Sequence, residues 1–87
     1  MEAKKKDDRK LLGSQIEDRI LEYIKEKPLE VGDRLPNEFE LAEMFEVGRS
    51  TIREAVKGLV TKGVLQVRRG AGTYVSSLTP AEDDPLR

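Results

Sequence analysis

Apolar residues in this chain recur at helical spacing as far as Gly63, and beyond it they alternate. That change of period constrains the fold more than any other feature. A stripe repeating every 3.6 residues lies on one side of a helix, and a repeat of two lies on one face of a strand. Proline and glycine cut the helical part into three. Ile16, Ile20 and Ile24 recur at a spacing of four with Leu21 beside them, and Pro28 ends this segment because the residue before a proline is pushed out of helical angles. Ser14 followed by Glu17 has the form of a capping box and predicts the helix start. A second capping pair, Asn37 and Glu40, opens a helix that carries Phe39, Leu41, Ala42, Met44 and Phe45. Val47-Gly48 breaks it, and a third helix begins at once near Arg49-Ser50. There Ile52, Ala55, Val56, Leu59 and Val60 gather within one arc, with Ser50, Arg53, Glu54 and Lys57 on the opposite side. Lys62-Gly63 supplies a cationic last turn and a glycine cap.

The remaining segments follow from local chemistry. Leu29 to Pro36 is a connector in which Val31 and Leu35 are expected to plug the core, Gly32-Asp33 to turn, and residues 33–35 to offer one very short strand. After Gly63, Leu65 and Val67 alternate with Gln66 and Arg68, Gly70-Ala71-Gly72 forms a turn, and Thr73-Tyr74-Val75 is the return strand. Residues 1–10 read as a mobile, solvated charged leader and residues 78–87 as an acidic, proline-bearing linker. The folded unit is expected over residues 11–77.

With 87 residues the chain supports one small domain. Lys, Arg, Asp or Glu interrupts every apolar run, so no stretch is long enough to span a bilayer and no membrane partner is expected. There is no Cys and no His, which removes thiolate chemistry, the commonest general base and the commonest transition-metal ligand. No spacing pairs a nucleophile with a base, so no catalytic residue, metal or cofactor is assigned, and the chain does not read as an enzyme. The net charge of −1 conceals a strong asymmetry. Residues 1–47 carry 9 Lys/Arg against 13 Asp/Glu, whereas residues 48–70 carry Arg49, Arg53, Lys57, Lys62, Arg68 and Arg69 against Glu54 alone. Phosphate binding responds to the local field, so a basic segment within an acidic chain is meaningful.

The fold class that results is α+β and mostly helical: a three-helix winged helix-turn-helix with a C-terminal β-hairpin wing. In that motif the second helix of the tight pair projects outward and fits the major groove, so it needs polar and cationic residues in its first turns and an apolar back. Residues 49–60 meet both demands. Arg49 and Arg53 are the candidates for reading bases or clamping phosphate, since a guanidinium can donate two parallel hydrogen bonds to guanine. Ser50 and Thr51 stand where helix N-terminal hydroxyls and amides meet a phosphate. Lys57 is assigned to the DNA backbone, and Arg69 with Gly70 to the adjacent minor groove. The alternatives are that Arg53 bridges to Glu43 or Glu46, that Ser50 only caps its helix, and that the whole unit serves as a protein–protein adaptor.

Three blocks of sequence resemble GntR-type bacterial transcription regulators. Gly32-Asp33-Arg34-Leu35-Pro36-Asn37-Glu38 with Leu41-Ala42 is similar to their opening signature. Val47-Gly48-Arg49-Ser50-Thr51-Ile52-Arg53-Glu54-Ala55-Val56 with Leu59 is similar to their recognition-helix motif, and Gly70-x-Gly72-Thr73-Tyr74-Val75 to their wing. The resemblance covers roughly residues 12 to 76. It implies a cytoplasmic repressor or activator that binds palindromic operators in double-stranded DNA as a homodimer. It also implies DNA contacts at Arg49, Ser50, Thr51, Arg53, Arg69 and Gly70. A small-molecule effector would act only through a C-terminal domain that lies beyond this chain, the tone of wing and linker being closest to the branch whose all-helical domain senses carboxylic acids. Two positions depart from the pattern: Phe39 stands where a DNA-contacting Arg is common, and Gly48 where Ser or Thr is usual.

Overall fold

The isoleucines of the first helix form the spine of the core. The structure, a computed structural model, describes residues 4–79, which run through α1 (Lys4–Glu26), α2 (Glu38–Phe45), α3 (Arg49–Thr61), β1 (Leu65–Arg68) and β2 (Gly72–Val75). Ile16, Ile20 and Ile24 are buried and join Leu41 and Phe45 of α2, Ile52, Ala55 and Leu59 of α3, and Leu35, Val64, Leu65 and Val75 in one cluster. Helix α1 packs chiefly on α3, which also carries α2. Burial of such aliphatic side chains contributes about 1.5–3 kcal/mol each. An outer contact ties the same two helices, Lys62 Nζ donating to Glu17 Oε1 at 2.7 Å. Among the described residues no helix is long and apolar enough to cross a membrane.

Two starts and one core position differ from expectation. Helix α1 begins at Lys4 rather than at Ser14, so Ser14 is an exposed mid-helix residue and residues 4–10, expected as a mobile leader, belong to the helix. No proline or β-branched residue interrupts Lys4 to Gln15, and Gly13 costs only about 1 kcal/mol, too little to end a helix anchored downstream. Residues 1–3 and the linker positions 80–87 lie outside the described residues. Val31, expected in the core, is 61% exposed. The connector is pinned to the wing through Gly32 N–H donating to Val75 O at 2.8 Å, which leaves Val31 on the outside of the turn, and Leu29 packs against the core in its place.

The helix caps are written locally. Asn37 accepts from Glu40 N while Asn37 N donates to Glu40 Oε1, both at 2.9 Å, a complete capping box. Helix α2 ends at Glu46, whose φ of 58° is left-handed. Val47 N donates to Ala42 O at 3.1 Å and Glu46 N to Glu43 O at 3.3 Å, the paired bonds of a Schellman motif built on a residue other than glycine. The end of α3 repeats the motif with glycine: Gly63 has φ 81°, and Val64 N donates to Leu59 O at 2.9 Å.

The wing is a two-stranded antiparallel hairpin with Leu65 opposite Val75 and Arg68 opposite Gly72. The short strand expected over residues 33–35 is realised as a single bridge, Arg34 to Tyr74, with Leu35 N donating to Thr73 O and Val75 N to Asp33 O, each at 2.8 Å. Only the base of the hairpin is buried. Leu65 and Val75 close the core, while Val67 is exposed because it lies further out along the projecting strand.

Candidate nucleic-acid interface

Helix α3 turns its apolar back to the core through Ile52, Ala55 and Leu59 and so must present the other side to solvent. Arg49, Arg53 and Lys57, four residues apart, form one row on that outer side. All three are exposed, as is Ser50, whereas Thr51 is half-buried. The N-cap of α3 is Gly48, which makes no side-chain cap bond. Ser50 is therefore not the capping residue, and the first-turn amides, at the positive end of a 13-residue helix, are not covered by a side chain. Such a terminus attracts phosphate.

Two consecutive residues of α2 each hold one arginine of α3. Arg53 donates from Nε to Glu38 Oε2 at 3.1 Å and from Nη2 to Glu38 Oε1 at 3.2 Å. Of the five guanidinium donors, this side-on pairing uses the Nε–Nη2 edge and leaves Nη1 and the second Nη2 hydrogen without a partner among the described residues. The arginine is oriented without being consumed. Next to this pair, the Arg49 guanidinium lies over the Phe39 ring, 4.3 Å from its centroid, a cation–π contact. The hydrogen bond from Arg53 holds the Glu38 carboxyl below its ordinary value; desolvation opposes it, and the charges of Arg53 and then Arg49 add smaller lowering contributions. The same bond raises Arg53. A bridge from Arg53 to α2 does form, as the alternative reading had it, but to Glu38 and not to Glu43 or Glu46. They lie towards the far end of α2, and the crossing of the two helices brings Arg53 to the first turn of α2.

The wing tip is built as a tight turn in which Ala71 N donates to Arg68 O at 2.9 Å and Gly70 takes a φ of 75°, a sign that suits glycine at the third position of such a turn. Tyr74 braces it from inside: its hydroxyl donates to Ala71 O at 3.3 Å, and the Arg68 guanidinium lies 5.0 Å from its ring centroid. Arg68 is thus committed to the wing, and Arg69 and Gly70 are left exposed at the tip. Between α3 and the wing runs a groove of about 540 Å³ lined by Arg53, Lys57, Val60, Val67 and Thr73 among others. Helix α3 and the wing thus line one groove together.

The three helices and hairpin that carry these residues have counterparts among known proteins. The family described as "Bacterial regulatory proteins, gntR family" matches residues 12–75. This chain belongs to the GntR family. The GntR domain is 45% identical over 64 residues to the "Putative L-lactate dehydrogenase operon regulatory protein" of Escherichia coli K12, a match that covers 74% of this chain and 25% of that protein. It thus spans about a quarter of the length of the curated relatives it matches. Among solved structures it is similar to Streptococcus agalactiae GntR, with a TM-score of 0.75 and 54% identity over 85% of this chain and 36% of that one. It is similar also to AraR(DBD) in complex with operator ORX1, with a TM-score of 0.68 and 34% identity over 74% of this chain and 77% of the other. The three helices and two-stranded wing are the architecture of these winged-helix domains.

Glu38 and Phe39 are the site residues that sequence reasoning did not assign. Glu38 stood only within the block that resembles the family's opening signature, and Phe39 as one of several apolar residues. The one signal for Phe39 was its place in the family pattern, where an arginine is common. Its 63% exposure shows that it is not a core residue.

Proposed function

We propose that this GntR domain binds double-stranded DNA sequence-specifically as the reading head of a transcription regulator, with α3 in the major groove and the wing at the adjacent minor groove. The observation that carries this is the pair of exposed arginines on the outer row of α3, Arg53 paired side-on with Glu38 and Arg49 seated over the Phe39 ring, both partners on α2. A fixed fork loses less entropy on binding a base edge than a free side chain does. Arg49 and Arg53 are the base readers, Ser50 and Thr51 with the first-turn amides meet a phosphate, and Lys57 lies further along the same backbone. Arg69 and Gly70 enter the minor groove, where a narrow A·T tract concentrates negative potential. The likeness to the operator-bound AraR domain supports this placement.

The intact regulator acts in the cytoplasm as a homodimer on a palindromic operator, and its effector binds a C-terminal domain. Relatives about three times the length of this chain leave room for such a domain. Two linked half-site contacts bind more tightly than one.

The test is selection of bound duplexes from a randomised library, followed by titration of the winners against salt. Enrichment of a short motif, with affinity falling steeply as salt rises, is the expected result. A folded domain that enriches nothing and shows no salt-dependent affinity for any duplex would instead identify this surface as a protein-binding face.

A further inference from the structure

Phe39 is a large apolar ring standing in water, 63% exposed, at the edge of the most cationic face of the molecule. It occupies the second position of α2, beside the Glu38 that holds Arg53 and under the guanidinium of Arg49. An aromatic ring in that position orients Arg49, but a smaller apolar side chain set back from solvent would leave less surface exposed. The ring remains largely exposed beside a guanidinium whose residue is exposed too.

Resting on the reading that α3 enters the major groove, we propose that Phe39 reads the 5-methyl group of a pyrimidine, thymine in ordinary DNA, at the base pair next to the guanine read by Arg49. The spacing supports it. An arginine that pairs with guanine lies near the plane of that base pair. A ring lying 4.3 Å from the guanidinium carbon is then displaced by about one base step, since successive pairs are about 3.4 Å apart. At that level in the major groove the apolar feature is the methyl of thymine, and phenylalanine is among the side chains that contact it. Arg49 and Phe39 thus form one composite reader, a hydrogen-bonding fork and an apolar pad, that selects a guanine flanked by a 5-methylpyrimidine. Because the pad sits on α2 and the fork on α3, the preference depends on the α2–α3 crossing and not on the recognition helix alone.

The experiment uses this chain and the best duplex recovered by selection, with each thymine adjacent to a guanine replaced singly by deoxyuridine, which removes only the methyl. At fixed salt, one such replacement is expected to weaken binding about fourfold, the transfer value of one buried methyl. At a position where cytosine is tolerated, 5-methylcytosine should bind better than cytosine. Phe39→Ala, which removes an exposed ring and leaves the core intact, should bind thymine and deoxyuridine duplexes equally, while Phe39→Leu should keep part of the difference. If the wild-type chain selects a motif yet ignores the methyl at every such step, the proposal is overturned and the DNA-binding reading stands. The same holds if Phe39→Ala retains the full methyl effect. If no motif is selected and no duplex is bound, both fall together.

Discussion

Replacing Arg53 with alanine separates base reading from phosphate clamping. In the free domain the Arg53 side chain is 56% exposed and its Glu38 partner 36%, so the pair is too well solvated to hold the fold together. The thermal midpoint of Arg53→Ala is expected to move by about 8 °C at most. The outward end of the guanidinium, left free by the side-on pairing with Glu38, is the fork that would meet a guanine. Losing one bidentate base contact weakens binding to the selected site by about 10- to 100-fold. Binding to random duplex should change little, so the ratio of specific to non-specific affinity falls by nearly the same factor. The slope of log affinity against log salt should stay as it was, because a base contact releases no counterion. A phosphate contact would behave differently: both affinities would fall together and the slope would shrink by about 0.9. Fluorescence anisotropy of one specific and one scrambled duplex across a salt series distinguishes the two. Glu38→Ala alone and combined with Arg53→Ala completes a double-mutant cycle. If Glu38 orients the fork, Glu38→Ala lowers selectivity while removing an anion from the DNA face, and its effect on selectivity disappears once Arg53 is gone. An unchanged specific affinity in Arg53→Ala would refute the assignment of this residue as a reader.

Three further outcomes follow from the same structure. Glu46 holds a left-handed backbone that glycine adopts at no steric cost, so Glu46→Gly should raise stability by about 0.5–1 kcal/mol in urea unfolding; a loss would show that the Glu46 side chain contributes more than its strain. Ile52 is fully buried whereas Val31 is 61% exposed, so Ile52→Ala should cost about 2–5 kcal/mol and Val31→Ala no more than about 0.5 kcal/mol; comparable losses would contradict the core described above. The Glu38 carboxyl titrates below its ordinary value of 4.5 through its bond to Arg53. Its contribution to stability is therefore complete above that ordinary value and is lost as pH falls through the lower folded one. A carboxyl-carbon NMR titration should show Glu38 low in the wild type and returning towards the ordinary value in Arg53→Ala, and identical curves would disprove the pairing in solution.

Much of the fold was legible because its signals are local. The Asn37–Glu40 capping box, the helix stop at Lys62-Gly63 and the switch to alternation each depend on residues within a few positions of one another, and each lies where the pattern put it. The outer row of Arg49, Arg53 and Lys57 was legible for the same reason, since a helix of known phase fixes which residues share a side. Ser14 shows the limit of local reading. A serine followed three residues later by glutamate has the form of a cap, but it becomes one only where the chain leaves the helix, and the sequence from Lys4 onward continues it.

What only tertiary structure decided is which side chains meet across elements. Glu38 and Arg53 are 15 residues apart, and nothing in either segment favours Glu38 over Glu43 or Glu46 as the partner. The choice is made where Leu41 and Phe45 pack with Ile52 and Ala55, because that packing fixes how α2 crosses α3 and so which turn of α2 faces the arginines. Phe39 is an apolar residue in an amphipathic helix by sequence and an exposed pad beneath Arg49 by structure. Local hydrogen bonds and helical phase are properties of a short stretch of chain, whereas contacts between helices depend on the shape of a core to which every element contributes. The sequence by itself determined an outward cationic helix and a wing. The core decided how its arginines are held.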